Sequence, residues 1–297
     1  MNKVMTMKEA VSKYVKSGDI LFVAGAQHGT PSATLHEIVR QRIDHLSVVS
    51  VLAQSTLLIG EGLVDKMITG YAAQDYTVSY PLQKAKAMNR FPVFEEYSHF
   101  GISLALSAGY MGIPFIPTKG HLGSDMPKYN KNIEVIDCPF IGGKIAAIRA
   151  IVPDVGIIHV QRADAEGNAQ KWGSLGVDQE GINASRKVIV TTEKIVDSDI
   201  IRRDPNRTII PGFRVSAVVE QPWGAFPARL AGCYNSDRGG VMRVDEQGFE
   251  DYLKNYVYGV GDWNEFVEKV KTSKGADYFD KLRIKNPVTS EPIITGL

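Results

Sequence analysis

The sequence contains few of the residues that mark disulfide-rich, metal-binding or membrane proteins. Its 297 residues include two cysteines, Cys138 and Cys233, which lie far apart and outside any Cys-x-x-Cys spacing. This pattern indicates neither a disulfide framework nor a zinc site. No apolar stretch has the length of a signal peptide or a membrane span. We therefore expect a cytoplasmic protein that is neither exported nor inserted into a membrane.

The charge balance excludes a second class of protein. The formal net charge is +1, and no run of basic residues is visible. Binding to nucleic acid needs a concentrated basic surface that neutralises phosphates, so we expect no nucleic-acid partner. Hydrophobic residues make up 44% and charged residues 23% of the chain, which is typical of an ordinary globular protein.

Common catalytic and cofactor signatures are also missing. Gly25 and Gly29 resemble half of a dinucleotide-binding loop, but they do not complete G-x-G-x-x-G. There is no Walker loop, Ser124 and Ser174 are not in G-x-S-x-G, and no two histidines have the spacing of a zinc-binding helix. The sequence therefore predicts a binding site without a recognisable metal, redox or nucleophile motif.

Short apolar runs alternate with helical patterns along the chain. Strands are predicted at 20–24, 46–52, 66–71, 92–95, 155–161, 187–193 and 214–219, with an extended peripheral segment at 113–117. Helices are predicted near 7–17, 31–39, 81–90, 181–185, 247–256 and 262–271, the second capped by Thr30, and another runs from Ser98 to Gly109 or Gly112. This alternation is typical of a parallel sheet covered by helices. We expect one α/β domain over residues 1–297, with a helical C-terminal appendage over about 245–297.

The apolar run at 155–161 is the most distinctive predicted strand. It ends abruptly in a polar turn that contains Asp164 and Asn168. Ligands of open α/β sheets bind at the carboxyl ends of the strands, so both residues are candidates for a cleft. Asp and Asn are also common in turns for backbone reasons, so a purely structural role is the alternative.

Other polar residues fall in predicted loops at the same edge. Lys119, His121 and Ser124 lie in a long polar loop at 118–132, and loops of this length are often functional. His28 and His99 lie in a loop or at a helix start, where a histidine is either a hydrogen-bonding residue or a catalyst.

Several segments, in the same order along nearly the whole chain, resemble the A (α) subunits of family I CoA-transferases, glutaconate CoA-transferase among them. These segments are residues 5–10, 17–19, 112–117, 157–161, 201–205, 211–212 and 224–227. The resemblance implies a three-layer αβα sandwich with a mainly parallel sheet. It also implies a partner B (β) subunit of similar fold, in an α2β2 or larger hetero-oligomer.

The resemblance also implies a chemistry that needs no permanently bound cofactor. Coenzyme A enters as the thioester substrate, and CoA passes from an acyl-CoA to a small carboxylic acid in a ping-pong cycle through a glutamyl-CoA thioester. The catalytic glutamate is expected on the partner, and no catalytic residue is expected in this chain. Glu61, in Gly60-Glu61-Gly62, is the nearest imitation of the family's nucleophile, and we expect it to be a surface turn residue.

The sequence departs from the family in two loops. Family members often have Gly-Gly-Phe where this chain has Gly25-Ala26-Gln27-His28, and a small Asn-Ser-Gly turn where it has Gln74-Asp75-Tyr76. These differences make glutaconate itself a doubtful substrate. The expected substrate-binding residues are Gln27, His28, Gln74, Asp75, Ser98 and His99, with Gly25, Gly29, Lys119, His121, Ser124, Asp164 and Asn168 as further residues of the cleft.

Two alternatives remain open from the sequence. Relatives of this fold include CoA-thioester hydrolases, ring-cleaving lyases and decarboxylases, and a base supplied by Glu95, Glu96 or Asp75 would favour such an activity. A sugar-phosphate sensor of similar fold is a remote alternative, but a regulator would need an attached DNA-binding helix pair.

Overall fold

A sheet of parallel strands forms the centre of this computed structural model, which describes residues 2–26, 28–52, 54–71, 79–237, 241 and 245–285. The strands are β1 (Ile20–Val23), β2 (Leu46–Ser50), β3 (Val64–Thr69), β4 (Val93–Glu96), β5 (Phe115–Thr118), β6 (Ile133–Asp137), β7 (Lys144–Arg149), β8 (Val155–Val160), β9 (Arg162–Ala163), β10 (Ala169–Gln170), β11 (Lys187–Thr192), β12 (Thr208–Ile210) and β13 (Ala217–Glu220). Within the described residues, the central sheet has seven strands in the order β13-β11-β8-β1-β2-β3-β4.

Helices cover both faces of this sheet. They are α1 (Met7–Tyr14), α2 (Ser32–Arg40), α3 (Thr56–Gly60), α4 (Tyr80–Ala87), α5 (His99–Met111), α6 (Met126–Tyr129), α7 (Asp178–Ala184), α8 (Ser198–Arg202), α9 (Glu246–Tyr252), α10 (Trp263–Lys274) and α11 (Tyr278–Leu282), and a π-helical turn (Leu253–Val257) extends α9. None of the described helices is both long and apolar enough to cross a membrane. The sheet between two covering layers confirms the predicted mainly parallel α/β fold.

The two hydrophobic cores follow from the alternation of side chains along each strand. In β1, Leu21 and Val23 point into one core and Phe22 into the other. The first core lies under α1, α2 and the C-terminal helices, and the apolar side of α10, including Trp263 and Phe266, is buried in it. The second core lies under α5 and α7. Every residue of β8 is buried, because both faces of this strand are covered.

Local signals correctly predicted several element ends. Thr6 and Glu9 form a capping box at the start of α1, which was predicted near residue 7, and the Ser98 side chain caps α5 by accepting the Gly101 N–H. Gly112 ends α5 in the left-handed conformation. The predicted Thr30 cap is wrong: Pro31 is the N-cap residue of α2, and the Thr30 hydroxyl instead donates to the Gly25 carbonyl across the preceding loop.

Among the regions that differ from the prediction, two lie between α5 and β8. Residues 118–132 are not a continuous loop, because they contain α6. Strands β6 and β7 were not predicted, and they pair antiparallel in a separate small sheet in which β7 also pairs with β5. Their order places β5 at an edge, in agreement with its predicted peripheral position, and β5 tolerates Pro117 there.

Candidate functional site

Three predicted site loops leave the same edge of the central sheet. They follow β1, β3 and β4, and each of these strands runs parallel to its neighbour in the sheet. The loops are the β1 loop (residues 25–30), the turn at 70–71 after β3, and the segment 97–99 that leads into α5. The predicted strand-end location of these segments is therefore correct, as far as the structure describes them. Gln27, Gln74 and Asp75 lie outside the described residues.

Four polar or aromatic side chains cluster beside the start of α5. The rings of Tyr71 and His99 are 5.7 Å apart, edge to face, and Tyr71 is half exposed. The Ser98 hydroxyl lies 3.5 Å from Nε2 of His121. A Cβ at Gly101 would come within 2.4 Å of the same nitrogen, so the glycine allows His121 to approach the helix. The structure thus brings together side chains from three segments that are well separated in sequence.

His28, in the β1 loop, is buried and neutral. Only 3% of its surface is exposed. Burial, followed by the charges of Lys171 and Arg229 and by His159, lowers the pKa of His28 to about 3. Nδ1 accepts the Ala231 N–H at 3.5 Å, which leaves the proton on Nε2, and Nε2 has no hydrogen-bond partner in the described part of the chain. His28 can therefore offer one neutral N–H donor.

A buried ion pair beneath the β1 loop was not predicted from the sequence. Lys171 Nζ lies 2.5 Å from Asp178 Oδ2 and donates to the His28 carbonyl at 3.0 Å. Asp178 Oδ1 accepts the Gly25 N–H at 2.8 Å. In the sequence, Asp178 is indistinguishable from an ordinary residue of a first helical turn, and no local pattern connects Lys171 with the loop.

A second buried network joins the ends of β8 and β11. His159 Nε2 lies 2.8 Å from Glu193 Oε1, which also accepts the Tyr234 hydroxyl at 2.9 Å. Glu193 Oε2 accepts the Trp223 N–H at 3.1 Å. Burial, with Glu193 as the next cause, raises the pKa of Tyr234 well above its ordinary value, so the phenol keeps its proton and donates it. This network connects the edge of the sheet with residues 223–234.

The polar turn after β8 satisfies its own side chains. The two carboxylate oxygens of Asp164 accept bonds from Glu166 N, Asn168 N, Asn168 Nδ2 and Ser198 Oγ. Burial alone would raise the pKa of Asp164, but these hydrogen bonds outweigh it and lower the pKa. Asn168 Oδ1 accepts the Gly212 N–H. These contacts hold the turn in one conformation, and a cleft role for Asp164 and Asn168 stays a prediction.

The remaining predicted cleft residues lie in or beside the turn before α6. The Ser124 hydroxyl donates to the His121 carbonyl at 2.8 Å. Burial lowers the pKa of His121, which has a left-handed backbone with φ of 70°. Lys119 is exposed. His121 therefore links this turn with Ser98.

The glutamates considered as a base or nucleophile form contacts within the chain. Glu95 accepts bonds from Tyr97 OH and Asn132 Nδ2 at 2.9 Å and lies 3.4 Å from Lys66 Nζ. It lines a cleft of about 570 Å³ together with Glu96. The predicted exposure of Glu61 is wrong: it is buried and held by Arg42, Lys84 and Tyr258. Its place before β3 is at the opposite edge from the β1 loop.

A model of the coenzyme A transferase family matches residues 4–221. The chain belongs to this family. It is 33% identical to the A-type chain of 3-oxoadipate CoA-transferase from Pseudomonas knackmussii, over 92% of this chain and 100% of the relative. It is 32% identical to the A-type chain of glutaconate CoA-transferase from Acidaminococcus fermentans, over 92% and 93% of the two chains.

A solved structure agrees with this family assignment. The structure of the Acidaminococcus fermentans glutaconate CoA-transferase superposes with a TM-score of 0.85 at 30% identity, covering 95% of this chain and 96% of the other. The cholesterol ring-cleaving hydrolase subunit of Mycobacterium tuberculosis is more distant, at 25% identity over 93% of this chain and 96% of the relative. Among the described residues of this CoA-transferase, no three His, Cys, Asp or Glu side chains cluster as metal ligands would.

Proposed function

We propose that this chain is the α (A-type) component of a two-subunit CoA-transferase that moves CoA between an acyl-CoA and a small carboxylic acid. The observation that carries the proposal is the match along the full length of the A-type chain of 3-oxoadipate CoA-transferase. The glutaconate relative has the same designation. A B (β) subunit would then complete the site, in a hetero-oligomer of α2β2 or larger composition.

The proposed mechanism is a ping-pong exchange through a glutamate of the partner. Exchange of CoA between two carboxylic acids is nearly isoenergetic, so an enzyme carboxylate can hold the thioester while the first acid leaves and the second enters. Four carboxylates near the carboxyl edge of the sheet are already engaged within the chain. Asp164, Asp178, Glu193 and Glu95 each accept hydrogen bonds or ion pairs from within the chain. At these four carboxylates, nucleophilic attack would compete with the existing hydrogen bonds.

In this proposal, the chain supplies the wall that selects the acid. His28 offers a neutral donor, and Ser98, His99 and His121 surround the start of α5. Gln27, Gln74 and Asp75 complete the set proposed from the sequence. Hydrogen-bond donors in this wall would discriminate between acids with different tails, and packing against the partner would keep water from the thioester.

The test begins with the chain purified alone and then mixed with its B-type partner. We expect no CoA transfer by the isolated chain and transfer after mixing, measured with a panel of acyl-CoA donors and short mono- and dicarboxylic acids. Transfer by the isolated chain would contradict the proposal.

A trapping experiment locates the nucleophile. The complex is incubated with an acyl-CoA and then with hydroxylamine or borohydride, which attack a thioester much faster than a free carboxylate. Peptide mass analysis should find the modification on the partner. Modification at Glu61, Glu95 or Glu96 would place the nucleophile in this chain. Loss of thioester without any modification would favour the hydrolase, lyase or decarboxylase alternative.

A further inference from the structure

Lys171 and Asp178 form an ion pair that is almost completely buried. Each residue is 1% exposed, and their charged atoms are 2.5 Å apart. Removing two charges from water costs several kcal/mol per ion, and their mutual attraction often fails to offset this cost. Replacement of such a pair by apolar side chains of similar size is often neutral or stabilising. The presence of charges therefore needs another explanation.

The explanation lies in the remaining hydrogen bonds of the pair, because both partners bind the backbone of the β1 loop. Asp178 holds the N–H of Gly25 at the start of the loop, and Lys171 holds the carbonyl of His28 near its end. The loop is also closed by the Gly29 N–H, which donates to the Arg229 carbonyl at 2.8 Å. Its backbone is thus fixed from beneath at two points by one ion pair.

We propose that Lys171 and Asp178 are positioning residues that fix the β1 loop, and with it the His28 side chain, against the bound acid. This proposal depends on the proposed function, in which the loop is part of the acid-binding wall. Neither residue touches the substrate. Their effect is to hold a neutral donor in one place before the acid arrives, so that binding does not have to order the loop.

Two double variants separate this role from a structural one. K171M/D178L replaces the pair with apolar side chains of similar volume, which removes both contacts with the loop and leaves no buried charge. K171M/D178N also lacks the ion pair, but it retains an oxygen that can accept the Gly25 N–H. Of the two contacts with the loop, it therefore loses only the one with the His28 carbonyl. Single substitutions are less informative, because each would leave an unpaired buried charge and strongly destabilise the fold.

Hydrogen exchange on the isolated chain measures the loop without any need for activity. We expect a peptide covering residues 24–30 to exchange about tenfold faster in K171M/D178L, with a smaller change in K171M/D178N and no change in β8. E61Q is the matched control, since Glu61 is also buried and paired but lies at the other edge of the sheet. Unchanged exchange at 24–30 would overturn the proposal.

Kinetics of the complex with the B-type partner provide the second measurement. K171M/D178L should raise KM for the acid about tenfold, as expected from loss of one or two hydrogen bonds, and leave kcat within about threefold. A roughly tenfold fall in kcat with an unchanged KM would overturn the positioning role. If the wild-type complex consumes thioester without transferring CoA, the proposed function fails, and the same comparison of KM is made on that reaction.

Discussion

His159 and Glu193 meet at the carboxyl edge of the sheet, with Nε2 and Oε1 2.8 Å apart. His159 is fully buried, and Glu193 is 17% exposed. Because the same carboxylate accepts the Tyr234 hydroxyl and the Trp223 N–H, it holds three segments of the chain together. Glu193 is therefore the residue of this network whose loss should be most costly.

Glu193→Ala should lower the free energy of unfolding by about 3–5 kcal/mol, because it leaves buried donors without an acceptor. Chemical denaturation measures this loss. Glu268→Gln is the control: Glu268 pairs with Lys271 on an exposed helical surface, so the change should be within about 0.5 kcal/mol. Equal effects of the two substitutions would show that the buried network contributes nothing to stability.

The β1 loop requires glycine at position 25. Gly25 has φ of 88°, and an added Cβ would come within 2.5 Å of the Thr30 nitrogen. Gly18 has nearly the same φ, 87°, but has open space at its Cβ position. Gly18→Ala should cost about 1–2 kcal/mol from the backbone conformation alone. Gly25→Ala should cost clearly more and should also accelerate hydrogen exchange at 24–30. Similar costs would mean that the loop adapts to the added methyl group.

Ser98 combines a capping role with a position at the proposed acid site. Ser98→Ala should lower stability by about 1 kcal/mol, since its hydroxyl accepts the Gly101 N–H at 2.9 Å. Thr6→Ala removes the comparable cap of α1 and should have a similar cost. We expect only Ser98→Ala to change the relative kcat/KM values for different acids in the assembled complex. If Thr6→Ala changed the relative kcat/KM values by the same amount, the effect would come from lost stability alone.

His28 should make the stability of the chain dependent on pH. Its folded-state pKa is lowered to about 3, from an ordinary value of 6.5, so the unfolded chain binds more protons between these two values. The contribution of His28 to the free energy of unfolding is therefore fully present above pH 6.5 and is lost as the pH falls. The loss approaches ~1.4 kcal/mol per pH unit.

His28→Gln should flatten this dependence. Both proteins are denatured at about pH 7.5 and about pH 5.5, on either side of the ordinary histidine pKa. The free energy of unfolding should fall less between these two pH values in His28→Gln than in the wild type. His36, whose pKa burial also lowers, contributes with the same sign in both proteins and cancels from the comparison. Parallel losses in the two proteins would show that His28 is protonated in the folded state.

Several parts of the fold were predictable from the sequence because they depend on local chemistry. The continuous apolar run of β8 identifies a strand with both faces covered, and Ser98 and Gly112 mark the two ends of α5 through capping and backbone conformation. The resemblance to the α subunits of CoA-transferases was also visible in short segments spread along the chain. The strand-end placement of Ser98 and His99 follows directly from the parallel alternation of strands and helices.

The tertiary structure alone decided which polar side chains meet. Lys171 supports a loop 143 positions away in sequence, and Glu61 is buried because Arg42, Lys84 and Tyr258 converge on it. Local periodicity indicates which face of an element is apolar, but a charged residue has the same local pattern whether solvent or a distant partner neutralises it. The burial of these charges depends on contacts that form only when the sheet and its covering layers pack together.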